Sequence, residues 1–257
     1  MRVHPTAVVS EQAVLDRDVS VGPYAIIEAD TQIGESCRIR AHAVVRRYCV
    51  IGPQNQIYEG AVLGGEPQDL GFAECRSYLR IGANNRFREC VTIHRGTEPD
   101  SATVVGSDCF VMTCAHIGHN SELGNHVIIA SNVALAGHVH IADRAFISGG
   151  VVIHQFCRVG QLAMIGGNSK IVQDCLPFVV TDGVPGRACG LNMIGLRRAG
   201  AGDEDVSALK LGYRILLRSG MKLETALDRL TEIGNPLVDH LAGFARDSAR
   251  GFCHAAR

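Results

Sequence analysis

The chain has almost no net charge: 25 Lys and Arg face 26 Asp and Glu over 257 residues, leaving −1. This excludes a generally basic nucleic-acid coat, though a local basic patch remains compatible with it. No apolar run approaches the roughly 20 residues needed to cross a bilayer. The start, Met1-Arg2-Val3-His4-Pro5, lacks the apolar core of a secretory signal. A soluble cytoplasmic protein without a membrane span is expected. Ten Cys are present but no Cys-x-x-Cys pair, and a chain of this length needs no disulfide staples. Charged residues reach only 20% against 46% hydrophobic ones, which excludes a disordered segment. The length allows one large domain or two small ones.

What the chain has in quantity is a period of six. Every sixth residue from Val3 is aliphatic without a break to Leu63, by way of Val9, Leu15, Val21, Ile27, Ile33, Ile39, Val45, Ile51 and Ile57. The phase resumes at Ile81, Phe87 and Ile93, then runs from Val105 to Ile171. Four residues after each of these sits a mostly small residue, such as Ala7, Ala25 or Ala43, and Gly often follows directly, as at Gly22, Gly52 and Gly118. An α-helix needs spacings of three and four. A strict six predicts an all-β solenoid, a parallel β-helix of hexapeptide repeats that buries each coil against the next. In it the aliphatic residue points inward, the small residue fits where the wall turns, and Gly relieves crowding and tolerates unusual backbone angles. Cys37, Cys49, Cys109, Cys157 and Cys175 fall on the small position and read as reduced, buried small hydrophobes.

Residues 64–80 and 94–104 break the hexads while keeping their phase, and loops expelled from a regular scaffold tend to carry function. The repeat fades after Ile171, which sets a solenoid over 1–190 and a helical C-terminal domain over 191–257. There, Asp203-Glu204-Asp205 opens a helix that stops at Ser219-Gly220. A second helix runs from Leu223 to Ile233 and a third from Leu237 to Asp247, able together to cap the open end of the solenoid.

His94, His116, His119, His138 and His154 lie in the central coils. Three hexads make about one coil, so separations of 22 residues from His94 to His116, 19 from His119 to His138 and 16 from His138 to His154 bring them toward a common strip. Two chemistries suit it. Hexapeptide folds hold zinc on three His in gamma-class carbonic anhydrases, but the His-x-x-x-x-His pair of that family is missing, and no metal is expected. The other is acyl transfer to an alcohol, with a neutral His as general base and a backbone N–H, offered by Gly137, for the oxyanion. Residues 76 to 95 hold five Arg (76, 80, 86, 88 and 95) against Glu89, which suits an acidic partner or simply a solvated face.

Several segments carry a resemblance: Val3-His4-Pro5-Thr6-Ala7, Gln68-Asp69-Leu70, Val91-Thr92-Ile93-His94-Arg95-Gly96-Thr97, Ala115-His116-Ile117-Gly118-His119, Leu135-Ala136-Gly137-His138, His154-Gln155-Phe156 and Gly195-Leu196-Arg197-Arg198. In this order they resemble the acyl-carrier-protein–UDP-N-acetylglucosamine O-acyltransferase family, which opens lipid A biosynthesis. The resemblance implies a homotrimer of left-handed β-helices with active sites between subunits and no cofactor. It implies that His119 takes the proton of the sugar 3-hydroxyl as this attacks the thioester of a 3-hydroxyacyl chain on acyl carrier protein, with the Gly137 amide holding the oxyanion. It assigns Asp69, His116, His138, His154 and Gln155 to positioning the UDP-amino sugar and its phosphates, Asn192 and Arg198 to the nucleotide or donor, and Gly167 to the acyl-chain groove. Five positions depart from the family pattern: Asn120 replaces an acid after the base, Gly71 a lysine, Ile194 an acid, Ala199 an arginine and Pro185 a histidine. The departures fall mainly on nucleotide and donor binding, so a hexapeptide acyltransferase for another nucleotide sugar or an amine acceptor is the alternative.

Overall fold

The computed structural model describes residues 2–255. The chain winds into a left-handed parallel β-helix whose three walls are sheets of 11, 9 and 8 strands, most strands being two residues long. The last strand, Arg187–Leu191, joins the first wall antiparallel to Val179–Asp182. The first wall starts at Arg2–Val3, the second at Val8–Val9 and the third at Val14–Leu15. Neighbouring coils pair in parallel 18 residues apart, Val3 with Val21 and Val9 with Ile27. The right-handed crossover preference comes from strand twist, and two-residue strands accumulate too little of it to impose that hand.

The corner residue is what the hexad reading misplaced. At most corners the residue three beyond the aliphatic one has positive φ, and 19 such residues are not glycine, with φ between 55° and 63°. Ten of them are Asp, Asn or His, the types that tolerate this region best. The glycines that follow the aliphatic position serve close approach instead: a Cβ on Gly52 would lie 2.7 Å from Gly82 O on the next coil. The small residues sit inside, as expected. Ala25, Cys37, Cys49 and Ala61 are buried and alternate with the aliphatic row in one continuous core. All ten cysteines are thiols, and burial pushes those of Cys109 and Cys157 up to about 11. The buried ones, Cys37, Cys49, Cys109, Cys157, Cys175 and Cys253, are packing residues.

Both irregular segments leave from the corner between the second and third walls. Leu63 pairs with Ile93, 30 residues on, and Ile93 with Ile117, 24 on, so the insertions amount to 12 and 6 residues. Multiples of six keep every later aliphatic residue pointing inward. The insertions are shorter than the sequence suggested, because strands run on through Val62–Gly65 and restart at Tyr78–Ile81, and again through Thr92–His94 and Ala102–Val105.

Beyond Leu191 come four helices: α1 (Met193–Arg198), α2 (Asp203–Arg218), α3 (Leu223–Thr231) and α4 (Pro236–Arg246). The first was not anticipated; at six residues it is too short for an apolar period to show. The third expected helix starts one residue earlier, with Pro236 in its first turn and Asn235 Oδ1 accepting from Leu237 and Val238 N–H. These helices bury Leu196, Leu209, Leu230 and Leu241 against Leu176, Phe178 and Val179 of the last coil. The chain then returns across the end of the solenoid, and Cys253 joins the solenoid core.

A buried ion pair fastens this cap. Asp174, 1% exposed, accepts from Arg158 Nε at 2.9 Å and Ser248 Oγ at 2.8 Å. Arg158 also donates to Phe244 O and lies 4.3 Å over the Phe244 ring. Removing one partner of a buried pair strands the other charge. Asp174→Ala should cost about 3 kcal/mol, at the lower end for such pairs because Arg158 can rehydrate. It should also raise amide exchange in α4 selectively; urea unfolding and hydrogen exchange check both.

Candidate active site

The 18-residue register stacks three segments on the second wall and its outgoing corner: His116-Ile117-Gly118-His119-Asn120, then Ala134-Leu135-Ala136-Gly137-His138, then Val152-Ile153-His154-Gln155-Phe156. His119 therefore stands over Gly137, not over His138. A Cβ on Gly137 would come within 2.5 Å of His119 Cε1 and Nε2, so only glycine leaves the imidazole its place. The Gly137 N–H has no acceptor among the described residues. A buried, unpaired donor thus lies directly beneath the ring.

The insertions close over this corner. The first brings Asp69 Oδ2 to 4.0 Å from His119 Nε2, and the Asp69 turn is held by Gly71 N–H donating to Oδ1 at 2.8 Å. The second brings Thr97, whose amide and hydroxyl donate to Asn120 Oδ1 at 3.1 and 3.0 Å. A backbone N–H can only donate, so the oxygen end of the Asn120 amide faces inward. His119 Nδ1 lies 3.0 Å from the same oxygen and must carry the hydrogen. This leaves Nε2 with its lone pair toward the cavity. The departure at Asn120 thus preserves the orientation that an acid would supply, through a neutral acceptor.

A cavity of 390 Å³ gathers Gln68, His94, His116, His119, Gly137 and Gln155. His116 Nδ1 is 2.8 Å from Thr92 Oγ1, and its ring packs edge-on to His94 at 5.0 Å. His138 turns outward at a positive-φ corner, stacked on Phe156 at 4.7 Å and edge-on to His119 at 5.2 Å. His154 is exposed at the rim. His94, given no role by the sequence reading beyond its place in the strip, has a buried Nδ1 without a hydrogen-bond partner. No three His, Cys, Asp or Glu side chains among the described residues are arranged to hold a metal.

The other sequence candidates lie elsewhere. Asn192 caps α1, its Oδ1 accepting from Gly195 N–H and its Nδ2 donating to Leu162 O. With Arg198, Ile194 and Ala199 it lines a second cavity of 680 Å³ against Phe146 and Met164 of the first wall. Gly167 sits at a third place, the corner between first and second walls, where a Cβ would meet Gly149 O at 3.5 Å. Pro185 occupies the connection between the strands Val179–Asp182 and Arg187–Leu191. Within one chain the structure unites Asp69, His116, His119, Gly137 and Gln155, with His138 and His154 beside them, and separates Asn192, Arg198 and Gly167 from them. The five-Arg stretch also disperses. Arg95 is 1% exposed and ties the first insertion down through Glu74, Cys75 O and Ser77, while Arg88 pairs with Glu89 and Arg80 lies over Tyr78. Arg76 and Arg80 flank Tyr78 on the third wall while Arg86 lies on the first, because successive hexads belong to different walls.

A hexapeptide β-helix that sets a tautomer-fixed imidazole over an unpaired glycine amide defines an acyltransferase of the hexapeptide class. A family model described as UDP N-acetylglucosamine O-acyltransferase, domain 2, matches residues 174–253, and the bacterial transferase hexapeptide model matches 12–47 and 102–137. An acyl-[acyl-carrier-protein]–UDP-N-acetylglucosamine O-acyltransferase of Paraburkholderia phymatum is 40% identical over 97% of this chain and 98% of its own length. The Synechocystis protein of the same name is 43% identical over 77% of this chain and 72% of its own. The solved UDP-N-acetylglucosamine O-acyltransferase of Moraxella catarrhalis superposes with a TM-score of 0.96 at 38% identity, covering 99% of this chain and all of that one. The chain belongs to the acyl-[acyl-carrier-protein]–UDP-N-acetylglucosamine O-acyltransferase family.

Two outcomes follow from the site geometry. Gly137→Ala should displace the His119 ring and cut turnover by at least about 100-fold while the Tm stays put; steady-state kinetics and calorimetry check it. Burial, with neighbouring imidazoles as a smaller cause, holds His116 and His138 below the ordinary value and pushes His94 down to about 4. Between 6.5 and about 4 the unfolded chain therefore binds more protons than the folded one. The stability these residues contribute is full above 6.5 and is lost as pH falls toward 4. Tm should decline through that window, less steeply in His94→Gln, as scanning calorimetry across pH will show.

Proposed function

We propose that the chain transfers a 3-hydroxyacyl group from acyl carrier protein to the 3-hydroxyl of UDP-N-acetylglucosamine. Its relatives' names support the acyl-carrier donor and the sugar-nucleotide acceptor, and the site chemistry supports base-assisted transfer to a hydroxyl. His119 Nε2 takes the hydroxyl proton as the oxygen attacks the thioester carbonyl carbon. The Gly137 N–H stabilises the oxyanion, the C–S bond breaks, and the carrier thiolate takes the proton back from the imidazolium. Asp69, 4.0 Å from Nε2, stabilises the transient positive charge and helps orient the sugar. The observation that carries this reading is the fixed Nδ1–H tautomer of His119 over an unpaired amide.

The assembly belongs to the same proposal. His119 and the Asn192–Arg198 cavity occupy different faces of one chain. A ring of three copies, one copy's His119 corner against its neighbour's cavity, brings both halves together, with Gly167 beside the acyl groove. Such a heterologous contact closes after three identical steps. Ile194 and Ala199 in that cavity favour, as a second reading, another nucleotide sugar or an amine acceptor.

His119→Ala should abolish transfer while leaving the trimer and the Tm unchanged. Incubation with UDP-N-acetylglucosamine and a mixed acyl-carrier pool, read by mass spectrometry and light scattering, tests both parts. Near-normal turnover in the variant sinks the base assignment, and a product on another acceptor sinks the substrate.

A further inference from the structure

The chain after α4 does not trail away from the solenoid; it is stitched to the last coil. Asp174 N–H donates to Gly251 O at 3.0 Å, Cys253 N–H to Asp174 O at 2.8 Å, and Gln173 Nε2 to Arg250 O at 3.4 Å. This stitching delivers the Arg250 guanidinium to the edge of the second wall. There its Nη2 lies 3.4 Å from His154 Nδ1 and 3.5 Å from Val172 O.

The Cys157 thiol beside Arg250 is a weak acceptor, and neither of the contacts to nitrogen and oxygen satisfies the guanidinium. Both are at the outer limit of hydrogen bonding, and His154 Nδ1 is also 3.2 Å from Gln155 O. A nitrogen that donates to that carbonyl cannot accept from an arginine at the same time. Lys170 follows on the same wall, in register with Val152 on the coil that carries His154, and is exposed. Among the described residues no carboxylate pairs with Arg250 or Lys170. Two cations without a carboxylate partner therefore stand next to the stretch 152–155 that lines the cavity. Lys170 lies one coil beyond Val152 and Arg250 at His154, whereas Asp69 approaches His119 from the first insertion. A planar fork of N–H donors with weak partners matches phosphate oxygens better than anything the protein supplies.

We propose that Arg250, with Lys170 and His154, forms a phosphate-binding rim of the active site, so that the C-terminal segment contributes to substrate binding as well as capping the solenoid. The inference rests on the transferase reading above. Two substrates of that reaction carry the required chemistry: the diphosphate of the nucleotide sugar and the phosphodiester of the carrier's phosphopantetheine arm.

The test uses the full chain with Arg250→Ala and Arg250→Lys. KM and kcat are measured for UDP-N-acetylglucosamine, and for the donor given as acyl-phosphopantetheine or as acyl-pantetheine, which lacks the phosphate. Arg250→Ala should raise one KM about tenfold or more with kcat within about threefold and the Tm unchanged, and Lys should restore most of the loss. A rise confined to the sugar nucleotide assigns the rim to the diphosphate. A rise for acyl-phosphopantetheine but not acyl-pantetheine assigns it to the carrier arm. KM values all within about twofold of wild type overturn the proposal, as does a fall in kcat accompanied by a lower Tm that Lys does not rescue. If the unmodified chain transfers nothing, it is the transferase reading that fails. The rim is then judged by calorimetric binding of UDP and of phosphopantetheine, and equal affinities in wild type and Arg250→Ala for both overturn it.

Discussion

One constraint governs the molecule: most corners of the helix are turned by a residue in the left-handed backbone region, so that the next aliphatic side chain points inward again. At about 1 kcal/mol for each non-glycine corner this is costly, and it is sustained because each coil adds three short ladders and one more layer of core. The same constraint sets the 18-residue pitch, and the pitch sets which side chains stack outside. Asn120, His138 and Phe156 are corner residues with φ of 56°, 57° and 62°. The site is therefore built on the fold's most constrained positions, where backbone freedom is least.

The insertions show how an irregular element enters a strict repeat. With 12 and 6 extra residues they leave and rejoin without changing which face is buried. Arg95, buried beneath the first, exchanges solvent for Glu74, Cys75 O and Ser77 Oγ, fixing the path that carries Asp69 to His119. An arginine that composition counts toward a docking patch is spent holding a loop.

The solenoid was legible because its signal is periodic and lies in single residues: an inward aliphatic every six positions and a small partner four later. The helical cap was legible where helices are long enough to show a face, as in α2, and illegible in α1, whose six residues complete fewer than two turns. Half of the site was legible too, because His116, His119, Gly137 and Gln155 fall one coil apart on a known pitch. Thr97 and Arg250 were not. They reach the site by loop closure and chain return, and neither contact has a period.

The sequence by itself determined the repeat, its phase, the inward rows and the spacing that gathers the histidines, since all of these depend on local backbone geometry and on which side chains avoid water. Only the tertiary structure decided the tautomer of His119 and the loss of the five-Arg patch. It also decided the separation of Asn192 and Arg198 from the base and the approach of Arg250 to His154. Each of these depends on hydrogen bonds and charges between segments distant in the chain, whose distances no local pattern encodes.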